Sequence, residues 1–598
     1  MVQRHRLGDF SSDPRIAQLA FMAAVIGVAG ALMAVVLLKL IGIFTNLFFY
    51  HRWSTALVPA GAHPLGWGGI LVPVVGGLIV GLMARYGSER IRGHGIPEAL
   101  EAILIGRSLV QPRVAVLKPL SSAISIGSGG PFGAEGPIIL TAGAVGSIFG
   151  QFFPLSAAER KALLVAGAAA GMSATFAAPF AAILFAVELL LFEWRPRSVI
   201  PVATASLVAA VVRIPLLGRG PLFPAATAAD LPLGAIGVAL LIGLLMGLAA
   251  GLLTEGVYAA EDLFHKLPLH WTWWPALGGL AVGIGGYFFP RALGVGYDVL
   301  EELAAGQLVG GALIGLMLAK AVIWMIALGS GTSGGVLAPL LIIGGCLGSL
   351  VGEWAPFGDP GLWAVVGAAA LFSGTTRSPF TGIVFALELT HDLPLMLPLL
   401  FACMAATALT VLLLPRSILT EKVARRGHHV FREYAVDPLE ILSVRDVMTR
   451  EVETLRADTQ VKELIEALLP DPELAADHER YRRLAKHQGY PVVDDDGRLV
   501  GMVTRFDLLE AALTPTSADA RVGSLARSRP IVAYPDEPLR RAADRMTAAG
   551  IGRLPVVAGP GSREIVGIIT RSDLLKGRQR ALEEEERRER ILALGRSS

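Results

Sequence analysis

The stretch GSGGPFGAEGP, residues 127–137, places one carboxylate, Glu135, among five glycines and two prolines in an otherwise apolar region. Glycine and proline at this density oppose a regular helix, so backbone N–H groups are left free. The apolar run that follows, residues 136–148, predicts a short helix whose N-terminus carries partial positive charge and unpaired donors. Because such a helix start binds anions without a cationic side chain, we predict an anion site that contains Glu135.

Two further helix starts share this pattern. Residues 93–97 precede a predicted helix over 98–105, and residues 335–339 precede one over 340–350. A cation site would instead present carboxylates or carbonyl oxygens to the pathway. Three such starts therefore favour an anion as the ligand, and the alternative is that the glycines only allow close helix packing.

The composition is that of a membrane protein. The 598 residues are 53% hydrophobic with a mean hydropathy of +0.58, and the net charge of +2 argues against a nucleic-acid partner. The first apolar run begins at Ile16 and is too long for a signal peptide, so it predicts a long, tilted membrane helix. Cys346 and Cys403 lie in apolar runs, which predicts buried, inert thiols rather than a disulfide or a metal site.

The membrane part is repeated. Residues 167–189 and 367–389 agree at 13 of 23 positions, and residues 127–137 and 329–339 agree at five of 11. Two matches in the same order predict homologous halves, 16–220 and 230–415, within a membrane domain spanning 16–425. Repeated halves with interrupted helices place a substrate site near the midplane, at their interface.

Charged residues become frequent after Pro415, where a soluble tail begins. GMVTRFDLL at 501–509 matches GIITRSDLL at 567–575, which predicts two α/β modules over 440–515 and 520–580. We expect the extra residues 471–487 to form a surface loop or helix. The stretch 578–590 is predicted to be a charged helix, 581–598 a charged tail and 1–15 a cytosolic N-terminus.

The membrane motifs resemble those of the CLC chloride channel and proton/chloride antiporter family. GAEGP at 133–137 resembles its gating-glutamate motif, GHGIPE at 93–98 its first selectivity motif and GVLAP at 335–339 its Gly-x-Phe-x-Pro motif. The resemblance implies an all-α polytopic fold of about 18 helices with an inverted repeat. It also implies a homodimer in the lipid bilayer, with one anion pathway per subunit gated by Glu135.

The resemblance also implies roles for individual residues. Lys118, in LKPL, takes an electrostatic role, and the anion-binding positions correspond to His94, Gly95, Ile96, Gly133, Ala134, Val336, Leu337, Ala338 and Leu419. Four positions depart from the family pattern: His94 replaces a serine, Leu337 a phenylalanine, Leu419 a tyrosine and Leu189 the inner proton glutamate.

These departures lead to two hypotheses. A histidine titrates near physiological pH, so anion binding at His94 should depend more steeply on pH than binding at a serine. The alternative is a neutral histidine bonded to backbone. Glu188 and its repeat equivalent Glu388 are interpreted as buried, hydrogen-bonded structural residues.

The tail modules resemble a CBS-domain pair. This resemblance implies an adenine nucleotide (ATP, ADP or AMP) as a ligand, bound through Thr504, Asp507, Thr570 and Asp573. The alternative is a pair that binds nothing and serves as a dimer contact. No cofactor is expected to be required.

The predicted function is transport of chloride or another small anion, channel-like because Leu189 occupies the inner proton position. The alternatives are proton/chloride antiport along an atypical proton path and, disfavoured, a CBS-regulated divalent cation transporter. An enzyme is not expected, because the sequence shows no nucleophile–base pair or metal cluster. We expect the plasma (inner) membrane of a prokaryote, with both termini cytosolic, as is typical of basic N-termini and CBS modules.

Overall fold

The computed structural model describes residues 14–104, 106, 108–223, 231–428, 438–468, 487–513, 520–526, 530–576 and 579. The chain divides into two compact units, Met1–Glu433 and Tyr434–Ser598, which are described separately. Nearly all of the predicted segments 1–15, 471–487 and 578–598 lies outside the described residues.

The first unit is built from helices. Among its described residues the α-helices are α1 (Arg15–Tyr50), α2 (Leu71–Tyr86), α3 (Ile96–Leu104), α4 (Pro112–Gly127), α5 (Glu135–Gln151), α6 (Ala157–Phe176), α7 (Pro179–Phe185), α8 (Pro196–Leu217), α9 (Ala235–His265), α10 (Trp274–Phe288), α11 (Tyr297–Ala304), α12 (Gly311–Gly329), α13 (Leu337–Gly352), α14 (Pro360–Thr376), α15 (Pro379–Thr390), α16 (Met396–Leu413) and α17 (Ile418–Arg425). A π-helical segment, Ala186–Leu191, continues α7. These 17 α-helices agree with the predicted polytopic helical fold.

Six helical segments of the described chain are long and apolar enough to cross a membrane, and the first is the 36-residue α1. Helices such as α3 and α11, of nine and eight residues, are too short to span one. Short helices survive at membrane depth only where protein or a water-filled cavity surrounds them, as the interrupted apolar runs predict. The protein is therefore an integral membrane protein.

Two cavities reveal how the halves are related. The Arg426 cavity, of about 950 Å³, is lined by Gln111, Gly331 and Arg426, and the Tyr297 cavity, of about 720 Å³, by Ile126 and Tyr297. Gln111 directly precedes α4 and Ile126 lies in its last turn, so α4 runs from the first cavity to the second.

The order α1–α8 recurs as α9–α16, which makes α12 the counterpart of α4. Ile126, in the last turn of α4, lines the Tyr297 cavity, whereas Gly331, just after α12, lines the Arg426 cavity. Equivalent helix ends thus face different cavities, so the repeat is inverted, as the resemblance implies.

Two glutamates join the halves reciprocally. Glu188, in the π-helical segment that continues α7, accepts hydrogen bonds from the N–H groups of Phe380 and Thr381 in the first turn of α15. Glu388, at the end of α15, accepts them from Phe180 and Ala181, which begin α7. Each carboxylate therefore caps the helix start of the other half, where the helix dipole favours negative charge. This pairing supports the structural interpretation of both glutamates, although their side chains are half-buried rather than fully buried.

Both cysteines are buried in the helical unit. Cys346 and Cys403 are buried free thiols, as predicted. Among the described residues no group of histidine, cysteine and acidic side chains is arranged to hold a metal ion.

The second unit contains α-helices and short strands. They are α18 (Pro438–Ile441), α19 (Val444–Val447), β1 (Leu455–Arg456), α20 (Val461–Leu468), β2 (Gly489–Val493), β3 (Leu499–Thr504), α21 (Arg505–Leu513), α22 (Val522–Leu525), α23 (Leu539–Ala549), β4 (Arg553–Val557) and β5 (Ile565–Thr570). Strand β2 pairs with β1 in parallel and with β3 antiparallel, and β4 pairs with β5 antiparallel.

The two modules of this unit exchange short segments. Val444 packs into the apolar core around β4 and β5, whereas Val522 packs into the core around β2 and β3. Each core is thus completed by a residue that the sequence places beside the other module. This exchange ties the pair into one unit.

Candidate functional site

The three predicted helix starts are present, and each helix begins earlier than the sequence predicts. Helix α5 begins at Glu135 itself, α13 at Leu337 and α3 at Ile96. The prolines Pro97, Pro137 and Pro339 fall in the first turns, where a missing N–H costs nothing. Glu135 is therefore the first residue of its helix, next to donors that have no acceptor within that helix.

Backbone pairing brings the three loops together. Gly133 and Gly335 exchange hydrogen bonds of 3.3 and 2.9 Å, and the Gly93 N–H donates to Thr332 O at 3.2 Å. The hydroxyl oxygen of Ser333 lies 2.8 Å from that of Ser122. The helix starts of both halves therefore converge on one buried region.

The Glu135 carboxylate lies in a seat between two glycines. A Cβ added at Gly133 would overlap Glu135 Oε2, and one added at Gly335 would lie 3.0 Å from the same oxygen. The side chain is fully buried, and the N–H groups of Glu135 and Ala338 face it. Neither carboxylate oxygen completes a hydrogen bond of ordinary geometry with any described residue. The carboxylate is therefore held at the helix starts by burial and close packing rather than by well-formed hydrogen bonds.

His94 is a second buried polar side chain near the helix starts. It is 2% exposed, and within the described part of the chain neither ring nitrogen has a hydrogen-bond partner, so the alternative of a histidine bonded to backbone is not observed there. Lys118, Lys422 and Arg426 face the ring against a single carboxylate, that of Glu98. The His94 ring therefore lies among three cationic side chains and the Glu98 carboxylate.

Glu98 holds the start of α3 in place. Its Oε2 accepts the Gly95 N–H at 3.0 Å, and its Oε1 accepts Arg426 Nη2 at 2.9 Å. The Gly95 N–H is thus already bonded in this state, although the resemblance assigns Gly95 to the anion. The ion pair with Arg426 ties α3 to the residue that follows α17.

Lys118 organises the first loop rather than presenting a free charge. It is fully buried, and its Nζ donates to Ile91 O at 2.8 Å and to Gly93 O at 2.7 Å. Lys320 does the same in the other half, donating to Ala292 O at 3.0 Å and to Gly294 O at 2.8 Å. The two lysines are repeat equivalents, and each fixes the glycine loop that precedes a short helix.

The remaining predicted anion positions are buried apolar residues near these loops. Leu419 lies on α17, which packs against α3. A tyrosine lies nearby, but the Tyr258 hydroxyl donates to Ile418 O at 2.5 Å and is not free. The other positions are fully buried at the helix starts: Ile96, Ala134, Val336, Leu337 and Ala338.

The second unit places its four predicted residues in two equivalent turns. The Thr504 hydroxyl and N–H both donate to Asp507 Oδ2 at 2.7 Å, and Thr570 pairs in the same way with Asp573. Asp573 also accepts Lys576 Nζ at 3.0 Å, on its other oxygen. Each threonine–aspartate pair therefore caps the helix that follows, and one aspartate oxygen in each copy is committed to that cap.

Sequence reasoning missed a third repeat match. Gly294-Val-Gly-Tyr297 corresponds to Gly93-His-Gly-Ile96, and Lys320 corresponds to Lys118. The two members of each pair are separated along the chain by nearly the same number of residues as in the two stronger matches. A search at that separation would have found them. Lys422 and Arg426 carried no such signal.

Both parts of the chain are similar in sequence to known protein families. A family model described as "Voltage gated chloride channel" matches residues 76–411, and one described as "CBS domain" matches 444–514 and 522–579. The chain is 31% identical over 432 residues to "H(+)/Cl(-) exchange transporter ClcA" of Salmonella agona (strain SL483), covering 68% of this chain and 88% of that protein. This chain belongs to the CLC family. It carries a C-terminal CBS pair, as the motifs indicated.

Solved CLC structures agree in fold. A slow cyanobacterial Cl⁻/H⁺ antiporter is 24% identical, with a TM-score of 0.61, and covers 70% of this chain and 99% of its own. A eukaryotic CLC transporter is 21% identical, with a TM-score of 0.57, and covers 93% and 98%. These likenesses extend the family assignment to the three-dimensional fold.

Proposed function

We propose that this CLC protein carries chloride, or another small anion, across the membrane along a path between the Arg426 and Tyr297 cavities. The observation that carries the proposal is the Glu135 seat: a buried carboxylate between Gly133 and Gly335 that completes no hydrogen bond to the residues the structure describes. An anion can take the place of this carboxylate at the helix starts, so Glu135 acts as the gate. The cations around His94 support an anion over a divalent cation at the other end of the path.

We further propose that transport is channel-like. Leu189 occupies the position of the inner proton glutamate, and it is buried and cannot carry a proton. The neighbouring Glu188 is committed to the start of α15. Proton/chloride antiport is the second candidate, because the curated relatives are named exchange transporters.

A liposome experiment separates the two modes. Purified protein is reconstituted, a chloride gradient is imposed without a proton gradient, and external pH is recorded together with chloride efflux. The channel proposal expects robust chloride efflux without uphill proton movement. Coupled proton movement would establish the antiporter, and absence of any anion flux would reject both.

His94 is proposed to bind the anion with a pH-dependent strength. Flux should change more steeply with pH in wild type than in His94→Ser, because a second proton on the imidazole would add an attractive charge. The groups that face the ring are Glu98, Lys118, Lys422 and Arg426. Chloride efflux measured at a series of pH values tests this prediction, and identical profiles for the two proteins would reject it.

The CBS pair is proposed to bind an adenine nucleotide and so to regulate transport. Asp507 suits this role better than Asp573, because the second oxygen of Asp573 already accepts Lys576. Asp507→Asn should weaken binding of ATP, ADP or AMP to the full-length protein by about tenfold, the scale of a hydrogen bond to a charged group. Calorimetry measures this, with Asp573→Asn as the matched variant. Absence of nucleotide binding in wild type would leave the pair a dimer contact.

We also propose a homodimer, acting as a transporter rather than an enzyme, in a prokaryotic plasma (inner) membrane. The family resemblance supports the dimer, and the CBS pair together with Arg4 and Arg6 supports cytosolic termini. Measurement of the particle mass in detergent tests the homodimer. Protease access to the C-terminal tail in intact and opened cells tests the cytosolic location of that tail.

A further inference from the structure

Tyr297 carries a polar group that the proposed pathway does not yet explain. It is the first residue of α11, and it is one of the residues that line the Tyr297 cavity. Its hydroxyl is buried and has no hydrogen-bond partner among the residues that the structure describes. The ring lies beside Phe223, with centroids 6.2 Å apart. An unpaired buried hydroxyl is costly. An acceptor that binds the hydroxyl in another conformation of the protein would account for it.

The inverted repeat shows that this hydroxyl is specific to one half. Tyr297 occupies the position of Ile96, each preceded by a glycine loop that a buried lysine fixes. The Ile96 side chain is apolar and fully buried. The packing of a short helix start can therefore be satisfied without a hydroxyl, so packing alone does not account for Tyr297.

Glu135 is the titratable group that faces Tyr297, and Lys320 in turn faces Glu135. Lys320 Nζ donates to Ala292 O and Gly294 O, and the other charged or ionisable groups facing it are Asp298 and Cys346. Among these groups, the Tyr297 hydroxyl is the donor that has no acceptor.

We propose that Tyr297 is a positioning residue that receives the Glu135 carboxylate when it leaves its seat between Gly133 and Gly335. The hydroxyl donates a hydrogen bond to the displaced carboxylate and so stabilises the open state of the gate. The proposal rests on the gating function proposed for Glu135. The Tyr297 hydroxyl would give the displaced carboxylate a hydrogen-bond donor on the side of the Tyr297 cavity.

Tyr297→Phe tests this, because it removes only the hydroxyl. A hydrogen bond to a charged group changes an equilibrium by roughly tenfold or more. Chloride efflux from liposomes at neutral pH should therefore fall by about tenfold, and chloride binding measured by calorimetry in detergent should weaken by a similar factor, because Glu135 returns to its seat. Glu135→Ala provides the second background, in which Tyr297→Phe should change neither quantity by more than about twofold.

Each outcome has a defined meaning. Loss of flux by the same factor in both backgrounds would show a merely structural role and overturn the proposal, as would an unchanged rate in the wild-type background. If wild type and Glu135→Ala share the same flux and pH profile, the gating function itself fails. If Glu135→Ala alters gating and Tyr297→Phe does not, only the role of Tyr297 fails.

Discussion

Glu135→Ala should yield a protein whose chloride flux is at least as fast as that of wild type and no longer varies with pH where carboxylates titrate. Alanine leaves the seat between Gly133 and Gly335 empty, so the anion meets no competing carboxylate. It also removes the group whose protonation would open the pathway. Efflux from liposomes measured at several pH values gives both quantities.

The matched control for this variant is Glu302→Ala. Glu302 also lines the Tyr297 cavity, but its carboxylate is bonded to Arg291 rather than seated at a helix start. It should keep the pH profile of wild type, because an exposed ion pair contributes little. A Glu135→Ala protein that retained the pH profile of wild type would contradict the assignment of Glu135 as the gate.

Gly136→Ala should abolish most anion flux, by more than about tenfold, and should destabilise the protein by about 1–3 kcal/mol, the usual cost of overpacking. A Cβ at this position would overlap the His94 carbonyl oxygen, and it would lie 3.3 Å from the Gly335 Cα. Because the obstacle is backbone, α3 and α5 would have to separate. Such a movement would displace His94 and Glu135, the two groups proposed to act on the anion. Liposome flux and thermal unfolding in detergent measure the two effects.

Gly251→Ala is the control for this substitution. Gly251 lies on α9 and has open space where a Cβ would be added. Alanine there should preserve flux and keep or slightly raise stability, since it favours the helix more than glycine does. Equal flux in Gly136→Ala and wild type would show that the approach of α3 to α5 is not needed for transport.

The sequence predicted the features that depend on local chemistry. Glycines and prolines mark the starts of α3, α5 and α13, and the carboxylate within GAEGP at 133–137 identifies Glu135. The inverted direction of the repeat could not be predicted from internal similarity, because identity between segments carries no information about their orientation. It became evident only from the cavities that equivalent helix ends line.

The partners of individual side chains were beyond sequence reasoning for a related reason. Glu188 binds residues 192 and 193 positions away along the chain, and Lys118 bonds to backbone carbonyl groups that any residue would supply. A free Tyr297 hydroxyl is likewise visible only once every neighbour is known. Patterns of residue type specify helix starts and charges, whereas hydrogen-bond partners over long separations require the fold.

The reciprocal glutamates have a mechanical consequence. Four backbone N–H groups at the starts of α7 and α15 donate across the boundary between the halves to Glu188 and Glu388. Rocking one half against the other would break these charge-assisted bonds together, each of them strong for a hydrogen bond. We therefore expect the scaffold to stay rigid during transport and the moving part to be the size of a side chain. The energy barrier to ion passage is then formed by one side chain. Its height depends on the rotamer of that side chain rather than on the movement of a domain.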